Sequence, residues 1–281
     1  MMVKAQDFWN IPGSLIILLY VIALIAIIIF FVGFWYKVRI WSTGRDTDNS
    51  LKGVGALGLI WISITKLFSA DCLLARRVTP RSKTRAILLI GIMWGFILLF
   101  LGTVGRTVNY YFYDFLQGKV WQIFSLILDF AGLFLLIGII YGLFRRYVFK
   151  SEKIATSIQD GIFLVWLFLV VITGYGIEGT RIAVLNPPVI DWSPVGYTFG
   201  IVTLSISGGN IGTLKLINLA FWIIHMLLSL SFIAYIPFSK AFHIFASQIT
   251  TFLSAERERE IIESVIGSKR FETNRGPAGK I

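Results

Sequence analysis

Cysteine and histidine are almost absent from this chain, whose 281 residues include one cysteine, Cys72, and two histidines, His225 and His243. A single cysteine excludes an internal disulfide and an iron–sulfur cluster held by cysteines of this chain. The sequence also contains no internal repeat and no glycine motif of the kind that binds phosphate. Since it offers no nucleophile–base pair or metal cluster either, we expect no complete catalytic site within this chain.

Charge is scarce as well, because 15% of the residues are charged and 56% are hydrophobic. This composition is too apolar for a soluble globular domain. Three runs of at least 20 residues carry no charge, and each can span a bilayer because a helix satisfies its own backbone in lipid. Two further apolar runs hold an ionisable group at or near their limits. The sequence therefore predicts an all-α integral membrane protein with five transmembrane helices, at residues 14–36, 86–105, 120–144, 161–180 and 216–243.

The basic residues indicate the orientation of these spans. Residues 37–85, 145–153 and 240–280 hold 21 of the 26 lysines and arginines, and these segments alternate correctly across five spans. Such residues accumulate in cytoplasmic loops, so we expect the N-terminus outside, the C-terminus inside and a multi-pass location in the cytoplasmic membrane. This distribution explains the net charge of +11 without a nucleic-acid partner. The first apolar run is too long for a signal peptide.

The segments between and after the spans carry weaker signals. We expect a membrane domain over residues 1–253 and a cytoplasmic tail over residues 254–281, either solvated or docked on a partner. Between the first two spans, an apolar stripe predicts an amphipathic helix on the cytoplasmic interface. Its basic rim suits anionic head groups or a soluble partner, or simply reflects membrane orientation. Residues 186–210 predict an outer loop with, at most, a short re-entrant or interfacial piece. The apolar stripe between the first two spans consists of Val54, Leu57, Trp61, Ile64 and Phe68.

Both histidines lie in one strongly apolar stretch, Trp222 to His243. On a continuous helix, 18 residues make five turns, so both imidazoles leave one face about 27 Å apart along the axis. An ionisable group inside a membrane span is costly and indicates function, and imidazole is a standard axial ligand of haem iron. This distance excludes one haem held by both rings and fits two haems, with His225 in the outer half of the bilayer and His243 near the cytoplasmic surface. Packing histidines are the alternative.

Four stretches resemble a known family: residues 225–247 (HMLLSLSFIAYIPFSKAFHIFAS), 128–147 (LDFAGLFLLIGIIYGLFRRY), 173–184 (TGYGIEGTRIAV) and 191–197 (DWSPVGY). They are similar to the nitrate reductase gamma-subunit superfamily, and more similar to the cytochrome b subunits of heterodisulfide reductase and related sulfur-metabolism membrane complexes. The resemblance implies five helices, two b haems, and electron transfer between a membrane quinone and a cytoplasmic iron–sulfur partner subunit. Further membrane or cytochrome subunits are also possible partners.

The chain departs from that family in its second span, which reads TRAILLIGIMWGF at residues 84–96 and lacks the expected opposite histidines. The resemblance implies a ligand near Leu89, where a leucine stands. Three explanations are open. Another side chain completes one or both haems, with Met93 as the best-placed candidate in this helix. Alternatively, the iron is five-coordinate or completed by a neighbouring chain, or the subunit has lost one or both haems.

Polar side chains elsewhere in the spans suggest a second site. Asp129 lies within the third span, where it either relays protons or bonds to a neighbouring helix. Glu178 and Arg181 share a helical face near the outer membrane edge, which predicts either a salt bridge or a quinol head-group site. Tyr175 is one turn from Glu178 and would hydrogen-bond a quinone carbonyl there, although interfacial tyrosines are common.

Together these patterns predict a membrane cytochrome b-type subunit of a quinone-linked respiratory oxidoreductase. A haem-depleted or haem-free membrane anchor that binds quinone, in the same type of complex, is the first alternative, and the missing histidines favour it. A small transporter is the second, but it would require inverted repeats and broken helices around a midplane site.

Overall fold

The computed structural model describes residues 8–43, 83–149, 158–187, 190–239 and 242. In these ranges the chain is helical and forms no strand. Five helices are long and apolar enough to cross a membrane, as the sequence predicts, and the chain is a multi-pass membrane protein of all-α class. The helices are α1 (Gly13–Thr43), α2 (Lys83–Tyr111), α3 (Gly118–Leu143), α4 (Ile158–Leu185), α5 (Pro194–Ile206) and α6 (Ile211–Tyr235).

The last span differs from its predicted bounds of residues 216–243. Helix α6 begins five residues earlier, at Ile211, and ends at Tyr235, where a single 3₁₀ turn, Ile236–Phe238, follows. Pro237 explains the end, because proline lacks the backbone N–H of a helix interior and disfavours α geometry in the residue before it. The regular helix therefore stops eight residues before His243. The 27 Å separation and shared face of the two histidines assumed a continuous helix, and that assumption is wrong.

The chain divides into two compact units. The smaller one includes residues 31–43, 236–239 and 242 of the described part. Here α1 lies close against the 3₁₀ turn at Gly33, where an added Cβ would lie 2.7 Å from the ring of Phe238 and 2.8 Å from Pro237. The rings of Phe34 and Phe242 also meet edge to face, with centroids 5.7 Å apart.

The larger unit contains residues 8–30 and 83–235 of the described part, and its long helices pack as antiparallel neighbours. Small residues allow α2 to approach α3 closely. A Cβ at Gly95 would lie 2.7 Å from the carbonyl oxygen of Ala131, and one at Gly102 would lie 2.5 Å from the side chain of Leu128. Close backbone contact of this kind favours association in lipid, where burial of apolar surface between helices gains little.

The connection between α2 and α3 closes the end of this unit that the charge pattern predicts to face outside. Buried Asn109 accepts the backbone N–H of Leu116 through Oδ1, at 2.8 Å. Leu116 in turn packs against Trp121, and both are buried. At the same end, Asn10 Nδ2 donates to the carbonyl of Lys215 at the start of α6, at 2.8 Å.

The predicted outer loop contains a real helix, α5, whose 13 residues are too few to span a bilayer. Gly196, Gly200 and Thr203 are its buried residues and share one face. That face lies on α4, because a Cβ at Gly200 would lie 3.1 Å from the carbonyl oxygen of Gly179. The sequence predicted a loop here with, at most, a short re-entrant or interfacial piece. The structure contains such a short piece, as a helix.

Three predicted features lie outside the described residues: the amphipathic helix of the segment 54–68, His243, and the tail from residue 254. Leu89 lies within α2, but its side chain is also outside the description.

Candidate cofactor and quinone site

His225 lies at the centre of its span, as the fifteenth of the 28 residues from Ile211 to Phe238. Its partners on α4, Val170 and Thr173, are the thirteenth and sixteenth of the 28 residues from Ile158 to Leu185. Two helices thus independently place the imidazole near mid-span. The prediction of the outer half of the bilayer for His225 assumed a span of residues 216–243, whereas the span in the structure is Ile211–Phe238.

The imidazole is held through one nitrogen. His225 Nδ1 lies 2.9 Å from the carbonyl oxygen of Val170 and 3.0 Å from Thr173 Oγ1. A carbonyl oxygen only accepts, so Nδ1 carries the proton and Nε2 keeps its lone pair. Among the described residues Nε2 makes no hydrogen bond. Metal-binding histidines are held in the same way, with the second nitrogen fixed by a carbonyl or carboxylate.

The surroundings of the ring are consistent with a bound group. Gly174 faces the imidazole, and a Cβ there would lie 3.3 Å from Cε1, so α4 approaches the ring closely. One turn further along the same face of α6, the Ser229 hydroxyl is buried without a hydrogen-bond partner among the described residues. A serine in a helix often bonds to the carbonyl four residues back, as Ser231 does to Leu227. An unpaired hydroxyl beside an imidazole with a free lone pair therefore fits a cofactor on this face.

Aromatic side chains fill the space between the level of His225 and the predicted cytoplasmic end. The Phe232 ring lies 5.0 Å from that of Phe163, 5.9 Å from that of Trp166 and 6.1 Å from that of Phe96. Trp166 also donates its indole N–H to the carbonyl of Leu228 at 3.0 Å, which ties α4 to α6. The packing on this side of the imidazole is thus apolar.

Met93 does not lie opposite His225. The contact of Phe96 with Phe232 sets the relative heights of α2 and α6. Met93 lies three residues from Phe96 toward the predicted cytoplasmic end, and His225 lies seven residues from Phe232 toward the other end. At 1.5 Å per residue they are roughly 15 Å apart along the bundle. Met93 is half-buried, and as a haem ligand it would need to serve a different haem.

A second cluster forms around Asp129 of α3, which is buried at 2% exposure. Its two carboxylate oxygens accept the backbone N–H groups of Val195 and Gly196, each at 2.9 Å. These residues follow Pro194 in the first turn of α5, and Pro194 has no N–H to satisfy. The backbone N–H of Tyr197 donates to the carbonyl of Ser193. Asp129 therefore completes the hydrogen bonding of this turn.

The position of Asp129 shows how deeply α5 begins. Asp129 is eleven residues from Gly118, which corresponds to about 16 Å along α3. Helix α5 therefore starts inside the bundle, with a carboxylate of another helix as its N-terminal cap. Of the two roles considered for Asp129, the structure supports bonding to a neighbouring helix.

Tyr175 supports the same cluster. Its hydroxyl donates to the backbone carbonyl of Asp129 at 2.5 Å, and its ring stacks on Phe199 of α5 at 5.2 Å. The side chain fits against Gly132, where a Cβ would collide with the phenol. Tyr175 is 5% exposed, and its hydroxyl proton is already donated to a carbonyl inside the bundle. The assignment of this hydroxyl to a quinone carbonyl lacks support.

Glu178 and Arg181 do lie together. Glu178 Oε1 is 3.9 Å from Arg181 Nη2, with side-chain exposures of 26% and 8%. Glu178 also approaches the first turn of α5, because a Cβ at Gly196 would lie 2.9 Å from its Cδ. They lie five and eight residues beyond Thr173, so they are about 8–12 Å further toward the predicted outer end than His225's contacts. Glu178 and Arg181 therefore do not lie at the same level as His225.

Several contact residues are not predictable from the sequence pattern. Val170 acts through its backbone carbonyl, which no sequence pattern reveals. Thr173 and Thr180 resemble ordinary helix threonines, yet Thr173 contacts His225, and Thr180 accepts a 2.8 Å hydrogen bond from Asn218 of α6. Buried Asn218 in an apolar helix was the one available signal. A site with three or more His, Cys, Asp or Glu ligands is absent from the described ranges.

Comparison with known proteins decides the family. A model of the family described as nitrate reductase gamma subunit matches residues 88–257, more than half of the chain. The chain belongs to that family. Subunits of this family typically bind b-type haem. The match covers most of α2, all of α3 to α6 and both histidines, and it confirms the family resemblance of the sequence.

Two relatives indicate the wider class. An EtfAB:quinone oxidoreductase of Syntrophomonas wolfei subsp. wolfei is 29% identical over 248 residues, which is 85% of this chain and 33% of the relative. A probable iron-sulfur-binding oxidoreductase, FadF, of Bacillus subtilis is 25% identical over 214 residues, 72% of this chain and 28% of the relative. This gamma-family chain thus spans about a third or less of the length of these oxidoreductases. No solved structure matches the chain.

Proposed function

We propose that this gamma-family chain is the cytochrome b-type subunit of a quinone-linked respiratory oxidoreductase in the cytoplasmic membrane. It passes electrons between membrane quinol and a cytoplasmic iron–sulfur partner. The observation that carries the proposal is the His225 site, with Nδ1 fixed by the Val170 carbonyl and Nε2 left with its lone pair. A b-type haem supplies reversible one-electron transfer.

The residues of this chain would hold the cofactor as follows. His225 would supply a ligand nitrogen from α6, Gly174 would leave room beside the imidazole, and Ser229 would offer a hydroxyl on the same face. His243 is proposed as the ligand of a second haem, toward the cytoplasmic surface. Met93 stays a proposal only for such a second haem, because its height excludes it from the site at His225. The haem count is one or two.

The proposed quinol site lies on α4 at Glu178 and Arg181. Glu178 is the more exposed of the pair, and it is suited to accept a proton when quinol is oxidised. Arg181 holds that carboxylate, and Tyr175 contributes indirectly by tying α4 to Asp129 and the first turn of α5. Quinone enters the proposal because one relative is a quinone oxidoreductase by name.

The proposed partner follows from the second relative, which is described as iron-sulfur-binding and is much longer than this chain. We assign the iron–sulfur chemistry to a subunit or segment on the cytoplasmic side, where the basic residues concentrate. The single cysteine of this chain cannot hold such a cluster.

A haem-free quinone-binding anchor is the second candidate. One observation favours it: the described residues contain no histidine besides His225, and Met93 lies at another height. A transporter has less support. Helix α5 does begin inside the bundle, as a broken transporter helix would, but Asp129 occupies the N–H groups that a substrate would need.

Haem quantitation tests the proposal. A pyridine haemochrome assay on the purified complex, corrected for any cytochrome partner, should find b haem in the wild type and about one haem fewer in His225→Ala and in His243→Ala. Met226→Ala is the matched control, since it shortens a buried side chain next to His225 without removing a ligand. It should keep its haem. A wild-type protein without b haem would reject the cytochrome and favour the anchor.

A further inference from the structure

We propose that Thr173 is a positioning residue for His225, and that its hydroxyl, together with the Val170 carbonyl, strengthens Nε2 as an electron donor to a metal. The inference rests on the proposed function, in which His225 is a haem ligand. Nothing in the family match assigns a role to Thr173.

Thr173 belongs to a compact set of hydrogen bonds on α4. Its Oγ1 lies 2.7 Å from the carbonyl oxygen of Leu169, 3.1 Å from that of Val170 and 3.0 Å from His225 Nδ1. Val170 and Thr173 are three residues apart, so both face α6 from the same side of α4. The imidazole nitrogen therefore sits between two oxygens.

One placement of the protons satisfies both contacts of His225 Nδ1 and the shortest contact of the Thr173 hydroxyl. The Val170 carbonyl accepts, so Nδ1 must donate. The Thr173 hydroxyl has one proton, and the shortest of its contacts directs that proton to Leu169. Its lone pairs then face Nδ1–H, which shares its proton between the Thr173 hydroxyl and the Val170 carbonyl. The opposite tautomer would place the Nδ1 lone pair against a carbonyl lone pair.

This arrangement has a consequence at the other side of the ring. An acceptor that draws on Nδ1–H increases the electron density at Nε2 and raises its basicity as a ligand. Two acceptors in an apolar surrounding do so more effectively than one. A haem bound at Nε2 would have its oxidised state stabilised, so its midpoint potential would be lower than with the carbonyl alone.

Thr173→Val tests the proposal because it keeps the branched shape and removes the hydroxyl. In the purified complex we expect b haem at His225 with a midpoint potential shifted upward and with about tenfold weaker haem retention. Thr173→Ser keeps the hydroxyl and should match the wild type in both. Thr180→Val is the matched control: it removes a hydroxyl that also bridges α4 and α6, but one bonded to Asn218. Its potential should stay at the wild-type value.

The outcomes separate this inference from the function on which it rests. If His225→Ala loses haem while Thr173→Val keeps the wild-type potential, Thr173 has no positioning role and the proposed function survives. If Thr180→Val shifts the potential as much as Thr173→Val, the effect is general loosening of the bundle, and the inference fails. Wild-type protein without b haem overturns both. Should Thr173→Val not fold, Thr173→Ala must show the same upward shift.

Discussion

At the scale of single residues, Asp129 shows how an ionisable side chain can be accommodated inside an apolar bundle. An ionised group in such a place is costly unless it is paired or hydrogen-bonded. Both of its oxygens accept a backbone N–H from α5, and the N-terminal end of a helix also favours negative charge. Ser193, the residue at the usual capping position, makes no such cap with its side chain. The carboxylate of α3 replaces it.

Asp129→Ala should therefore destabilise the protein by roughly 2–4 kcal/mol, because two buried N–H groups would each lose their acceptor. The free energy of unfolding, measured by denaturant titration in mixed micelles, checks this. Asp191→Ala is the matched control, since Asp191 is exposed just before α5. It should change stability by less than about 0.5 kcal/mol. Equal effects of the two substitutions would mean that Asp129 does not cap α5.

At the scale of elements, close helix packing depends on where α2 lacks side chains. Gly91 and Gly95 are one turn apart and both face α3, but the space before them differs. A Cβ at Gly95 would lie 2.7 Å from the Ala131 backbone oxygen, whereas one at Gly91 would have its nearest neighbour, the Phe134 carbonyl oxygen, at 3.8 Å. Backbone cannot move aside as a flexible side chain can, so one glycine is required and the other is tolerated.

We expect Gly95→Ala to destabilise the protein by about 1–3 kcal/mol through overpacking against α3. Gly91→Ala is its internal control and should be neutral or stabilising by up to about 1 kcal/mol, because alanine favours the helix. Unfolding followed by circular dichroism measures both. A neutral Gly95→Ala would show that α2 and α3 are not in backbone contact at this point.

At the scale of the whole molecule, the charge distribution and the family membership lead to the same kind of protein. Five apolar helices with basic residues concentrated in alternate connections describe a multi-pass membrane subunit. The oxidoreductase relatives are about three times longer than the matched region, so this subunit supplies the membrane part of a larger activity in our proposal. Its orientation decides on which side that activity takes place.

The single cysteine allows a direct test of orientation, because the charge pattern predicts a cytoplasmic position for Cys72. A membrane-impermeant maleimide should leave Cys72 unlabelled in spheroplasts and should label it in inverted vesicles. The control combines Cys72→Ser with Ser14→Cys at the exposed start of α1, and it should show the reverse pattern. Labelling of Cys72 from outside would invert the proposed topology, and with it the assignment of Glu178 to the outer side.

The sequence by itself determined the class, the number of spans and the family, because long uncharged runs and the motifs around residues 128–197 and 225–247 are local features. It also pointed to His225, since an imidazole is rare and expensive in an apolar helix. It did not determine the geometry between the two histidines. The regular spacing of 18 residues assumed an unbroken helix, and Pro237 ends that helix at Tyr235.

Only the tertiary structure decided the partners of each polar group. The cap that Asp129 provides joins residues 66 and 67 positions apart, and the bond that fixes His225 comes from a backbone carbonyl 55 positions away. Backbone groups leave no trace in the sequence, and the distance between helices depends on small residues such as Gly95 that a hydropathy pattern treats as neutral. Helix formation follows from local composition, whereas hydrogen-bond partners in a membrane bundle follow from how closely the helices approach.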